Sequence, residues 1–105
     1  MQFLEAVGHG THTMRILLAE DERELGSWLV RALGQSGFQV DWVDDGRLVR
    51  NSLKSTRYDA LILDWMLPRM DGPEVVRRLR EEHGASVPII MLTARDELPD
   101  KIAGF

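Results

Sequence analysis

An open α/β fold, a doubly wound parallel sheet, is predicted by three features of this 105-residue chain. Apolar runs of strand length alternate with amphipathic stretches from Arg15 onward. Such an order calls for parallel strands joined by right-handed crossovers. The run Leu61-Ile62-Leu63 delivers Asp64 straight into a turn, Trp65-Met66-Leu67-Pro68-Arg69-Met70-Asp71-Gly72, and the run Arg15-Ile16-Leu17-Leu18-Ala19 likewise ends in Glu20-Asp21. Open α/β sheets keep their chemistry in the crevice outside the carboxyl ends of the strands.

Residues 1–13 contain Gly, His and Thr, precede the first strand and read as a tail, with Met14 a second natural start for translation. His9 and His12 lie three apart, but Gly8 and Gly10 disfavour the helix that would bring them to one face, so a solvated tail is expected there. The first strand is Arg15 to Ala19. Leu25, Trp28, Leu29, Ala32 and Leu33 then recur at i, i+3, i+4, i+7 and i+8, which marks a helix with one stripe on the sheet and Trp28 in the core. Gly34 and Gly37 are available to end it. Phe38 to Val43 alternates polar and apolar, as an edge or half-exposed strand does. Asp44-Asp45-Gly46 is a turn in which the acids act as turn and cap residues rather than as a metal pair.

Leu48, Val49 and Leu53 mark a second helix, and Ala60 to Leu63 a strand buried on both faces. Asp71, placed before Gly72, reads as the cap of a third helix marked by Val75, Val76 and Leu79. Its outer face carries Arg77, Arg78, Arg80, Glu81 and Glu82. Interleaved signs describe a solvated face better than a nucleic-acid site. His83, in the last turn, complements the helix dipole. A fourth strand, Val87 to Leu92, ends at Thr93.

Composition narrows the function classes. With 105 residues and 44% apolar content the chain makes one domain with a modest core. A net charge of -4 and a pI near 5.3 argue against non-specific affinity for nucleic acid. There is no cysteine, which removes disulfides, thiolate metal sites and thiol catalysis together. No apolar run approaches the roughly 18 residues of a membrane span, and residues 1–13 lack a basic signal-peptide start. A cytoplasmic protein without membrane contact is expected.

If the first and third strands lie side by side, Glu20, Asp21 and Asp64 converge. Two unit charges about 4 Å apart repel by roughly 4 kcal/mol at an effective dielectric near 20, so a cation belongs among them. All-oxygen ligands with room for water suit Mg2+. An aspartate poised against Mg2+ is also a potential phosphoryl acceptor, and the Thr93 hydroxyl is placed to donate to a phosphoryl oxygen.

In order and spacing, Glu20-Asp21, the Asp64 strand with Pro68 and Asp71-Gly72 after it, and Thr93-Ala94 resemble a response-regulator receiver domain of bacterial two-component signalling. Met14-Arg15-Ile16-Leu17-Leu18-Ala19-Glu20-Asp21-Glu22 and Leu92-Thr93-Ala94-Arg95-Asp96 are most similar to the subfamily whose receiver precedes a winged-helix DNA-binding domain. The resemblance covers Met14 to Phe105. It implies a flavodoxin-like fold with sheet order 2-1-3-4-5, and a receiver over residues 14–105. It implies further that Asp64 accepts a phosphoryl group from a sensor histidine kinase, that Glu20, Asp21, Asp64 and the backbone carbonyl of Met66 hold Mg2+, and that Thr93 is the switch hydroxyl. Such a protein is not an enzyme beyond taking part in its own phosphorylation, and DNA is contacted only through the output domain.

Family members continue past the position of Phe105 into the rest of a fourth helix, a fifth strand bearing a lysine, and a closing helix. A receiver cut short is therefore expected. The two lysines here, Lys54 and Lys101, match neither the place nor the role of the missing one. An open fourth strand and an uncovered apolar face imply self-association. Haloacid-dehalogenase-type phosphatases also use a strand-end aspartate, but they need an acid two residues on, where this chain has Met66. No P-loop or glycine-rich dinucleotide turn follows the first strand. The rival reading is a receiver that docks on a kinase through its first helix and the loops around Asp64 without switching.

Overall fold

The computed structural model describes residues 13–83 and 87–92, with Glu82 and His83 taken as backbone only. Four strands and three helices alternate: β1 (Arg15–Ala19), α1 (Arg23–Gln35), β2 (Gln39–Val43), α2 (Gly46–Ser55), β3 (Ala60–Asp64), α3 (Gly72–His83) and β4 (Ile89–Leu92). All strand pairs are parallel, in the order β2-β1-β3-β4. The expected order is thus met over these strands. The tail up to His12 and the segment from Leu98 to Phe105 lie outside the described residues.

Period-two alternation in β1 and β3 divides the core between the two faces of the sheet. Leu17, Ala19, Leu61 and Leu63 face α2 and α3, where they meet Val49, Leu67, Val75 and Leu79. Ile16, Leu18 and Ile62 face the other way, against Leu29, Val30, Leu33 and Phe38 from α1 and the chain after it. Leu17, Leu61, Leu63 and Leu79 are wholly buried, and each such side chain contributes about 1.5–3 kcal/mol on burial. β2, at one edge, is half exposed, as its alternation predicts.

One local expectation needs correction. Trp28 is 58% exposed rather than in the core. The face of α1 turned to the sheet runs through Gly26, Leu29, Val30 and Leu33, and Trp28 projects to one side of it. Leu48 is likewise exposed, because Val49 and Leu53 carry the apolar contact of α2. Gly34 sits inside α1, and Gly37 makes the exit instead, with φ 97° in the left-handed region that favours glycine. The N–H groups of Ser36, Gly37 and Phe38 then donate to carbonyls of the last turn. On β4, Ile90 is 54% exposed although it aligns with the buried Ile62.

Candidate functional site

The register of the two central strands builds the site. β1 and β3 pair with Ala19 opposite Leu63, so the next residues, Glu20 and Asp64, leave the sheet side by side. Parallel neighbours lie about 4.8 Å apart. Both acids are fully buried, while Asp21 is exposed at the mouth. One carboxylate oxygen from each of Glu20, Asp21 and Asp64 lies within 4.8 Å of the others, the convergence the sequence predicts.

Each acid is held by the loop that carries it. The Glu20 N–H donates to the Val43 carbonyl at 3.0 Å, and the Glu20 carbonyl accepts from the Trp42 indole N–H at 2.8 Å. Glu20 Oε2 accepts from the Glu22 N–H at 2.8 Å, and Glu22 caps α1 by accepting from the Leu25 N–H at 2.8 Å. The loop therefore passes from strand to helix within three residues, with the N–H groups of Glu20 and Glu22 both bonded.

After Asp64 the chain is tied from both sides. The Trp65 N–H donates to the Leu92 carbonyl at 2.7 Å, and the Gly72 N–H to the Trp65 carbonyl at 2.8 Å. A Cβ on Gly72 would lie 2.6 Å from the Asp64 carbonyl oxygen, so only glycine lets α3 begin this close to the site. Asp71 caps α3 by accepting from the Glu74 N–H at 3.0 Å, as its place before Gly72 predicts. Leu67 anchors the middle of the loop in the core.

Asp45 steadies the far side of the same loop. It caps α2 by accepting from the Arg47 N–H at 2.8 Å and pairs with Arg47 at 3.1 Å and Arg69 at 3.4 Å. The hydrogen bond from Arg47 does most to hold its carboxyl below the ordinary carboxylate range. Arg69 has φ 68°, a conformation costly for a residue with a Cβ, and its ion pair with Asp45 opposes that cost. The cap role predicted for Asp45 holds, but the cross-loop contact has no signature in the sequence.

Two further clusters stand apart from the acids. At the opposite end of the sheet, Asp41 accepts from the Tyr58 hydroxyl and pairs with Arg15 at 3.0 Å. The Tyr58 hydrogen bond, then that of Arg15, lowers the Asp41 pKa against the opposing effect of burial. On α3, Arg77 and Arg78 both bind Glu74, and Arg77 also binds Glu81. These bonds, Arg77 first, lower the Glu74 pKa to about 2. The arginine cluster is thus internally paired on a solvated face, as the interleaved signs predict.

The donor set fits Mg2+: three carboxylates offer hard oxygen ligands, and one of them is open to solvent, where water would complete a cation's shell. Met66 follows on the loop, its side chain 53% exposed. Thr93 lies outside the described residues.

A parallel sheet whose two central strands end in a shared acid cluster defines a flavodoxin-like domain with an acidic crevice at a topological switch point. Residues 16–105 match the family model described as a response regulator receiver domain, and the chain belongs to that family. The transcriptional regulatory protein TctD of Salmonella typhimurium is 50% identical over 91 residues, 87% of this chain and 40% of that protein. The transcriptional activator protein IrlR of Burkholderia pseudomallei is 45% identical over 87% of this chain and 39% of its own length. The chain thus spans about two fifths of the length of these curated relatives.

Among solved structures, the receiver domain of the Francisella response regulator 1452 superposes with a TM-score of 0.76 at 26% identity, covering 88% of this chain and 75% of the other. The response regulator protein TrrA of Thermotoga maritima, solved in complex with Mg2+ and BeF, superposes with a TM-score of 0.73 at 29% identity over 84% of this chain and 76% of the other.

Proposed function

We propose that this chain accepts a phosphoryl group on Asp64 from a sensor histidine kinase in the cytoplasm, with Mg2+ held by Glu20, Asp21, Asp64 and the main-chain carbonyl of Met66. In this reading residues 1–13 are a tail and residues 14–105 the receiver. Transcription is regulated through a DNA-binding segment outside this chain. The observation that supports it most directly is the β1–β3 register, which sets Glu20 beside Asp64 with Asp21 at the open mouth.

The chemistry is a substitution at phosphorus. An Asp64 carboxylate oxygen forms the new bond to phosphorus while the bond to the donor breaks, and the electron pair leaves with the donor's imidazole nitrogen. Bound Mg2+ supplies charge neutralisation for the phosphoryl oxygens. The protein's own part is to hold Asp64 still and to keep Glu20 and Asp21 from repelling an anion once the cation is in place. Thr93 provides a hydroxyl donor to a phosphoryl oxygen. No protein acid or base is required, in keeping with a partner in phosphotransfer rather than an enzyme.

Incubation with a small phosphodonor tests this. With acetyl phosphate and Mg2+, intact mass spectrometry is expected to show one phosphoryl addition, absent with chelator and absent in Asp64→Asn. No addition to the unsubstituted chain, together with retained binding to a histidine kinase, would leave a docking module in place of a phosphoacceptor.

A further inference from the structure

Trp42 is 36% exposed on the edge strand β2, where a surface aromatic would need no internal partner. Its indole N–H nevertheless donates to the Glu20 carbonyl at 2.8 Å. The next residue, Val43, accepts from the Glu20 N–H at 3.0 Å, so both main-chain polar groups of this buried acid are bound by consecutive residues of β2. The ring of Trp42 rests on the first turns of α1 at Gly26. A Cβ there would lie 2.1 Å from Trp42 Cζ2 and 2.5 Å from Cε2, distances no side chain tolerates.

Gly26 is buried inside a helix, where glycine is disfavoured against alanine, and its φ is not in the left-handed region. Backbone conformation does not explain it. Room for the indole does.

We propose that Trp42 is a positioning residue for the acidic loop, its indole seated on Gly26 and its N–H holding Glu20 in place to bind the cation. The inference rests on the reading of Glu20, Asp21 and Asp64 as a Mg2+ site. The two hydrogen bonds fix the peptide groups on either side of the Glu20 Cα, and the Glu22 N–H bond to Oε2 then sets the carboxylate. Without the indole bond the carbonyl of Glu20 turns to solvent, and the carboxylate samples positions away from Asp64. The metal affinity then falls although no ligand has changed.

Mg2+ titration calorimetry on the folded 105-residue chain tests the latch. Trp42→Phe, which keeps an aromatic ring but lacks the N–H, is expected to weaken Mg2+ binding by about three- to tenfold, the worth of one hydrogen bond. Gly26→Ala, which evicts the ring, is expected to do the same. The double variant is expected to lose no more than either single, because both act through one contact. Trp28→Phe, an exposed tryptophan on the same helix, is the control and leaves affinity unchanged. Amide exchange of Glu22 in metal-free buffer is expected to quicken in Trp42→Phe and Gly26→Ala alone.

Equal Mg2+ affinity and equal Glu22 exchange in the unsubstituted chain and Trp42→Phe would overturn the latch while leaving the metal reading intact. Fully additive losses would overturn the seat at Gly26. Failure of the unsubstituted chain to bind Mg2+ would overturn the metal reading and the inference with it.

Discussion

Replacing Asp64 by asparagine removes the proposed acceptor and is expected to make the metal-free protein more stable. The three acid oxygens lie within 4.8 Å of one another. At an effective dielectric near 20, a pair of charges at that separation repels by about 3.5 kcal/mol. Asp21 is exposed and screened by solvent, so the net gain is expected near 1–2 kcal/mol. For a domain of this size each kcal/mol raises Tm by roughly 4–8 °C.

Urea denaturation at neutral pH, with chelator and then with Mg2+, reads the effect in two directions. In chelator Asp64→Asn is the more stable chain. In saturating Mg2+, which stabilises a one-site binder by about 2.7 kcal/mol at 100 times Kd, the unsubstituted chain gains and the variant does not. If Asp64→Asn is less stable in chelator, or gains as much from Mg2+, the three acids do not form a strained cation site.

The glycines predict opposite signs. A Cβ on Gly46 would lie 1.9 Å from the Met70 carbonyl oxygen, so Gly46→Ala is expected to cost about 1–3 kcal/mol in urea denaturation. Gly34, inside α1 with nothing within 4 Å of its virtual Cβ, is expected to gain about 0.4–1 kcal/mol as alanine. Asp41 has a depressed pKa when folded, owing first to Tyr58 and then to Arg15, so its contribution is in place above its ordinary pKa near 3.8 and is lost as pH falls through the folded value. Below pH 4 the urea midpoint is therefore expected to fall less steeply in Asp41→Asn than in the unsubstituted chain. Ile90 is exposed on β4, an edge strand among the described residues, and Ile90→Lys is expected to shift the 105-residue chain toward monomer in sedimentation velocity. An unchanged distribution would place any association elsewhere.

Strand order was legible through the family resemblance, and the meeting of Glu20 with Asp64 followed from it, because adjacent parallel strands that both end in acids set those acids side by side. Caps were legible for a similar reason: Asp45 and Asp71 precede Gly46 and Gly72, and each accepts the helix N–H its position predicts. Trp28 was misplaced because a periodic stripe specifies a face to within a residue or so, and the helix turned toward Gly26 and Val30 instead. Contacts between distant segments carry no local pattern. Trp42 with Glu20, Arg69 with Asp45 and Tyr58 with Asp41 depend on how loops and strands come to rest in three dimensions. Gly26 was the one available hint, a glycine in a helical stretch with no turn to explain it.

Borohydride trapping locates the phosphoryl group most directly. The chain is treated with acetyl phosphate and Mg2+, reduced, and digested with trypsin, which releases the peptide from Tyr58 to Arg69 holding both Asp59 and Asp64. Reduction of an acyl phosphate converts that aspartate to homoserine, and fragmentation distinguishes the two positions. Homoserine is expected at position 64 and not at position 59. Homoserine at Asp59, at Asp21, or at no position in the phosphorylated chain would contradict Asp64 as the acceptor.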